Sequence, residues 1–105
     1  MSNRLFQTVI YQMKDAIGRT VGLIDENGII VACSDTNKIG ESRQRIREEL
    51  SFATDFIVYD GYTYRFATVS NKSDCIVFIE GDDSVAERRS SVLAIAFANI
   101  KALYD

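Results

Sequence analysis

VGLIDENGIIVACSDTNKIG, residues 21–40, is the stretch on which the reading of this chain turns. Two apolar runs, VGLI (21–24) and IIVAC (29–33), flank Asp25-Glu26-Asn27-Gly28. Glycine reaches positive φ without a Cβ clash, and asparagine tolerates the left-handed region better than most residues, so these four residues read as a tight hairpin turn. The second run gives way to the polar segment Ser34-Asp35-Thr36-Asn37-Lys38 and then to Ile39-Gly40. Strands are therefore expected at residues 20–25 and 29–34, followed by a short polar loop.

On the amino-terminal side, Leu5, Phe6, Val9, Ile10, Met13, Ala16 and Ile17 recur at three- and four-residue steps. That is the period of an amphipathic helix over residues 3–17, with Gly18 placed to end it. On the other side, Ile39, Ile46, Leu50 and Ala53 form a narrow apolar stripe among charges, which predicts a second helix over residues 40–53. Residues 56–59 and 62–69 are rich in β-branched and aromatic side chains, and Asp60-Gly61 between them suits a two-residue hairpin turn. A polar turn at 70–74 leads to a fifth strand at 75–80, and Gly81-Asp82-Asp83 breaks the chain. Ser84 with Glu87 reads as a capping box for a last helix running to about residue 104. Its apolar face is expected to hold Val85, Val92, Leu93, Ala96, Phe97, Ile100, Leu103 and Tyr104.

The order is helix, two strands, helix, three strands, helix. Continuous apolar runs such as GIIVAC and CIVFIE belong to strands covered on both faces. The expected fold is α+β: a five-stranded antiparallel sheet with the middle helix on one face and the terminal helices on the other. At 105 residues the chain makes one domain with one core. Tyr104-Asp105 follows the last helix without a stop signal, as expected of an amino-terminal domain cut from a longer protein.

Composition excludes several functions. A net charge of −3, from 12 basic and 15 acidic residues, is not that of a nucleic-acid-binding surface. No apolar run approaches a membrane span, and Met1-Ser2-Asn3-Arg4 lacks a signal-peptide core, so a cytoplasmic protein without a membrane partner is expected. Cys33 and Cys75 lie inside apolar runs without CxxC spacing and read as small buried hydrophobes. Histidine is absent, which removes the commonest metal ligand and the commonest general base. There is no GxSxG, phosphate loop or cysteine–histidine pair. No catalytic set, metal or cofactor is expected, and the chain reads as a non-enzyme.

Binding candidates are few. Ser34 and Asp35 end a strand, and Gly40 with residues 41 and 42 places backbone N–H groups at an expected helix start. Arg65 alternates with Thr63, Ala67 and Val69, while Tyr62, Tyr64, Phe66 and Thr68 face the other way. An arginine on a covered apolar face needs a partner, either a ligand carboxylate or an acidic side chain. Tyr59, Tyr62 and Tyr64 suit either a pocket wall or cross-strand aromatic packing. Arg43, Arg45 and Arg47 spread around their helix, and Glu41–Arg45 and Arg45–Glu49 make ordinary four-apart pairs on a solvated face. The expected site holds a small anionic or polar metabolite between the sheet and the middle helix. Arg65 and Tyr64 would contact it, with Ser34 and Asp35 at the rim and N–H donors near Gly40. A homodimer through the terminal helices is expected, because a small domain has too little sheet to bury both of their apolar faces.

The pattern Asp25-x-x-Gly28-x-Ile30-x-x-x-Ser34-Asp35-x-x-x-Ile39-Gly40 resembles the start of the sensor domain in carbohydrate-diacid regulators. It also resembles the PAS-like sensors of bacterial citrate and C4-dicarboxylate kinases. It is most similar to the amino-terminal input domain, of PAS or GAF type, of purine-catabolism and sugar-diacid transcriptional regulators. In that family the input domain precedes a carboxy-terminal helix-turn-helix. The resemblance implies a sensory or regulatory input domain that binds a small metabolite or dimerises and passes the change through the helix after Ser84. It also implies that DNA is bound outside these residues. Diacid regulators tend to carry a histidine just after the Ile-Gly, whereas Glu41-Ser42-Arg43 stands here, which argues against a diacid ligand. Roadblock/profilin-like interaction scaffolds share the element order and pair without a ligand. A cavity lined by a few polar groups separates a sensor from such a scaffold.

Overall fold

The computed structural model describes residues 3–67 and 75–104. Its three helices and five strands follow in the expected order, with a short 3-10 turn at Thr36–Lys38. Helix α1 (Asn3–Ile17) turns Phe6 and Ile10 inward. It ends where Gly18, at φ +69°, donates its N–H to the Lys14 carbonyl.

Strands β1 (Val21–Ile24) and β2 (Ile30–Cys33) form the first hairpin. Asp25 Oδ1 accepts the N–H groups of Asn27 and Ile29, each at 2.9 Å, and Gly28 stands at φ +80°. The turn therefore takes up residues 25 and 29, and both strands are slightly shorter than the expected 20–25 and 29–34. Leu23 pairs with Ala32 but Ile24 with Ile30, so Val31 forms a bulge. In the second hairpin, β3 (Phe56–Tyr59) and β4 (Tyr62–Ala67) are joined by Asp60 at φ 52° and Gly61 at φ 79°. Two successive positive φ angles are what a type I′ turn demands. Residues 68 and 69, expected in β4, and the polar turn at 70–74 lie outside the described residues.

Strand β5 (Cys75–Glu80) is the middle of an all-antiparallel sheet of order β2-β1-β5-β4-β3. Its alternation divides the core. Cys75, Val77 and Ile79 pack with Phe6 and Ile10 of α1 and with Leu93 and Phe97 of α3 (Ser84–Tyr104). Ile76 and Phe78 pack with Tyr64 and with Ile46 and Leu50 of α2 (Gln44–Ser51). With helices on both faces, every residue of CIVFI is buried, and the strand shows no polar alternation. Cys33 and Cys75 are buried and unbridged.

Three sequence expectations need correction. The middle helix begins at Gln44, not at residue 40. Residues 40–43 run along the outer edge of β2 instead: the Gly40 N–H donates to the Ile30 carbonyl, the Ile30 N–H to Glu41, and the Arg43 N–H to Gly28. Arg43 offers no side-chain cap for a helix, whereas the edge of β2 offers backbone partners. Helix α3 is capped by Asp83, whose Oδ1 accepts the Ala86 N–H at 2.9 Å; Ser84 is already helical. Finally, Val92 and Leu103 of α3 point outward, 66% and 79% exposed, with Ile95 at 62%. The inward face is Ala86, Ser90, Leu93, Ala94, Phe97 and Ala98. Because α3 is apolar on both sides, periodicity alone does not choose between them.

Candidate functional site

The residues expected to form one site are dispersed. Arg65 faces α3, on the side of the sheet opposite α2, as its alternation with Thr63 and Ala67 requires. Its Nε donates to the Ser90 hydroxyl at 3.2 Å and one Nη to the Glu87 carbonyl at 3.4 Å. Its guanidinium lies 5.2 Å from the centre of the Phe56 ring. The partner is thus neither a ligand between sheet and middle helix nor an acidic side chain. Ser34 closes the first hairpin, its hydroxyl accepting the Val21 N–H at 3.0 Å. Asp35 Oδ1 accepts the Asn37 N–H at 3.1 Å and caps the 3-10 turn. Both border a shallow depression near Arg19 and Glu80, which shares no lining residue with the cleft beside Tyr64. The Gly40 N–H is committed to the Ile30 carbonyl and the Glu41 N–H to the Lys38 carbonyl, so neither is offered to an anion.

Tyr64 does line a cleft, of about 400 Å³, between residues 38–46 and the α2 side of β4 and β5. Strand alternation puts Tyr62 and Tyr64 on this side, and the hairpin pair Tyr59–Tyr62 brings Tyr59 to its mouth. Phe78 of β5 completes an aromatic wall, its centroid 5.9 Å from Tyr62 and 5.7 Å from Tyr64. The ring of Phe78 lies over Gly22 of β1. A Cβ on Gly22 would stand 2.6 Å from Phe78 Cε1 and 2.8 Å from the Ala32 carbonyl oxygen. Gly22 is therefore what lets the Phe78 ring pack against β1.

Cations line the opposite side. Arg43, Arg45 and Lys38 all border the cleft, against one carboxylate, Asp60. Arg43 donates to Glu41 Oε1 at 2.6 Å and to the Ser42 carbonyl at 3.0 Å, and it reaches the Tyr64 hydroxyl. Burial works against its charge, but Glu41 and Tyr64 outweigh it, and its pKa rises. Burial pushes the Tyr64 phenol up, with Arg43 opposing in part. Arg45 pairs with Glu49 at 3.3 Å, while Glu41 serves Arg43 instead of the Arg45 expected from helical spacing. That difference follows from residue 41 lying outside α2. Lys38 Nζ stands 5.8 Å over the Tyr62 ring. Sequence reasoning passed over Lys38 and Phe78 and assigned Arg43 to a solvated helix face. The pairing of Tyr62 with Tyr64 in a strand was the available signal.

Among the described residues no cluster of histidine, cysteine and acidic side chains could hold a metal ion. None of the described helices is long and apolar enough to cross a membrane. No protein-family model matches the chain, and no curated protein matches it.

Proposed function

We propose that this chain is a cytoplasmic sensory input domain of a bacterial transcriptional regulator that binds a small metabolite in the cleft beside Tyr62 and Tyr64. The observation that carries the reading is the cleft itself: an aromatic wall facing Lys38 and Arg43, in the size range of small-molecule sites. The motif from Asp25 to Gly40 supports the sensory assignment through its resemblance to PAS/GAF-type input domains. Bound ligand would act on the 38–43 segment, which is tied to the edge of β2 by backbone bonds. The outward side chains of α3, Val92, Ile95 and Leu103, support a homodimer through that helix, which would carry the response. The same surface fits a ligand-free scaffold, so ligand binding separates the two.

Thermal unfolding of the chain with a panel of sugar acids, dicarboxylates, aromatic acids and phosphate monoesters at millimolar concentration tests the proposal. At least one class should raise the melting temperature of the wild type and not of Tyr62→Ala, which opens the aromatic wall of the cleft. A panel without effect on the wild type refutes the sensory reading and leaves the scaffold. For the dimer, sedimentation of Ile95→Glu should show a monomer where the wild type is dimeric; a wild-type monomer at high micromolar concentration refutes it.

A further inference from the structure

We propose, resting on the reading of the cleft as a ligand site, that its ligand is an aromatic monocarboxylate of one or two fused rings, not an aliphatic diacid. The charge balance of the cleft carries this. Arg43 is neutralised by Glu41 at 2.6 Å and Arg45 by Glu49 at 3.3 Å. Lys38 has no carboxylate partner among the described residues, and its Nζ is directed at the face of Tyr62. One uncommitted cation calls for one carboxylate. A second carboxylate would have to lie against the aromatic wall or approach Asp60, and both are unfavourable.

The body of the ligand follows from what adjoins Lys38. Tyr62 and Phe78 meet edge to face at 75°, and Tyr64 and Phe78 are tilted by 36°, so the wall presents ring faces and edges in one patch. A flat apolar ring placed on that patch gains offset or edge-to-face contacts with it, which a hydroxylated chain does not. With its carboxylate on Lys38, the ring lies against the Tyr62 and Phe78 rings of the wall. A cleft of about 400 Å³ admits one or two fused rings and little more. The Glu41–Arg43 pair then acts as a selectivity element: it withholds the second cation that a diacid would need.

Isothermal titration of the chain with 2-naphthoate, benzoate, benzamide, phthalate and succinate tests this. In the wild type 2-naphthoate and benzoate should bind, with benzamide and succinate at least about tenfold weaker for want of the charge or the ring. Lys38→Met should weaken 2-naphthoate about tenfold without lowering the melting temperature, since among the described residues the Lys38 ammonium has no ion pair and only the Tyr62 ring beneath it. Glu41→Gln, by freeing Arg43, should improve phthalate relative to benzoate. Succinate binding as tightly as 2-naphthoate, or 2-naphthoate binding unaltered in Lys38→Met, overturns the aromatic monocarboxylate while the ligand site stands. If none of these probes binds while another class of the thermal-unfolding panel still stabilises the chain, this inference fails and the ligand site stands; if that panel is without effect as well, both fail.

Discussion

Gly28→Ala compared with Gly61→Ala separates backbone strain from crowding at the turn that defines this fold. The two glycines have nearly the same φ, +80° and +79°, and both sit in hairpin turns. A left-handed L-residue is strained by about 1–2 kcal/mol, while the stiffer unfolded chain returns about 0.4–1 kcal/mol, so Gly61→Ala should lose about 1 kcal/mol. A Cβ at Gly61 meets nothing within 4 Å. At Gly28 it would stand 2.7 Å from Gln44 Cγ, 2.9 Å from its Cα and 3.0 Å from its backbone nitrogen. The Gln44 side chain can swing away, but its backbone can yield only if the first turn of α2 shifts. Overpacking of that kind adds about 1–3 kcal/mol, for a total near 2–4 kcal/mol in Gly28→Ala. Urea unfolding followed by far-UV circular dichroism, with equal slopes for the three proteins, measures both losses. Equal losses in the two variants would refute the docking of the turn on α2. A Gly28→Ala protein as stable as the wild type would refute the left-handed turn itself.

Three further outcomes are expected. The Asp83 carboxyl is held well below its ordinary pKa by the Arg19 guanidinium and the Ala86 N–H. Its stabilising contribution is therefore complete above about pH 4 and erodes as the pH falls further, because the unfolded state binds the proton first. Asp83→Asn should flatten the melting temperature against pH below pH 4, and an unchanged acid slope would count against it. Gly22→Ala forces Phe78 off β1 and should destabilise by about 1–3 kcal/mol with an altered near-ultraviolet tyrosine spectrum; an unchanged spectrum would contradict the close packing of Phe78 on Gly22. Arg65→Met should lose about 1 kcal/mol, since the Ser90 hydroxyl still donates to the Glu87 carbonyl at 2.7 Å. Binding of 2-naphthoate should be unaffected, and a tenfold loss would return Arg65 to the site.

Local order was legible in the residues. The helix from Asn3 to Ile17, the Gly28 and Asp60-Gly61 turns and the number and order of strands each follow from short-range periods and from backbone angles that few residues adopt. Even the two faces of β4 were readable, since alternation puts Arg65 and Tyr64 on opposite sides of any flat strand. It was the placing of a site on both of them at once that the fold corrects. Tertiary structure alone decided what pairs with what. Residues 40–43 have enough helical pattern to be read as the start of α2, yet the unpaired edge of β2 offers their N–H and C=O groups better partners than an uncapped helix end. That choice moves Glu41 off the helix and onto Arg43, and with it sets the charge balance of the cleft. The cleft itself joins residues from 38–46, β4 and β5, which are distant in the chain and are brought together only because β5 lies between β1 and β4. Likewise α3 carries large apolar residues on more than one side from Val92 onward, and only the sheet's position fixes which side is core and which carries Val92, Ile95 and Leu103 to the surface. Local propensities act within a few residues, whereas charge pairing, edge coverage and the choice of a buried face depend on neighbours that the linear order does not specify.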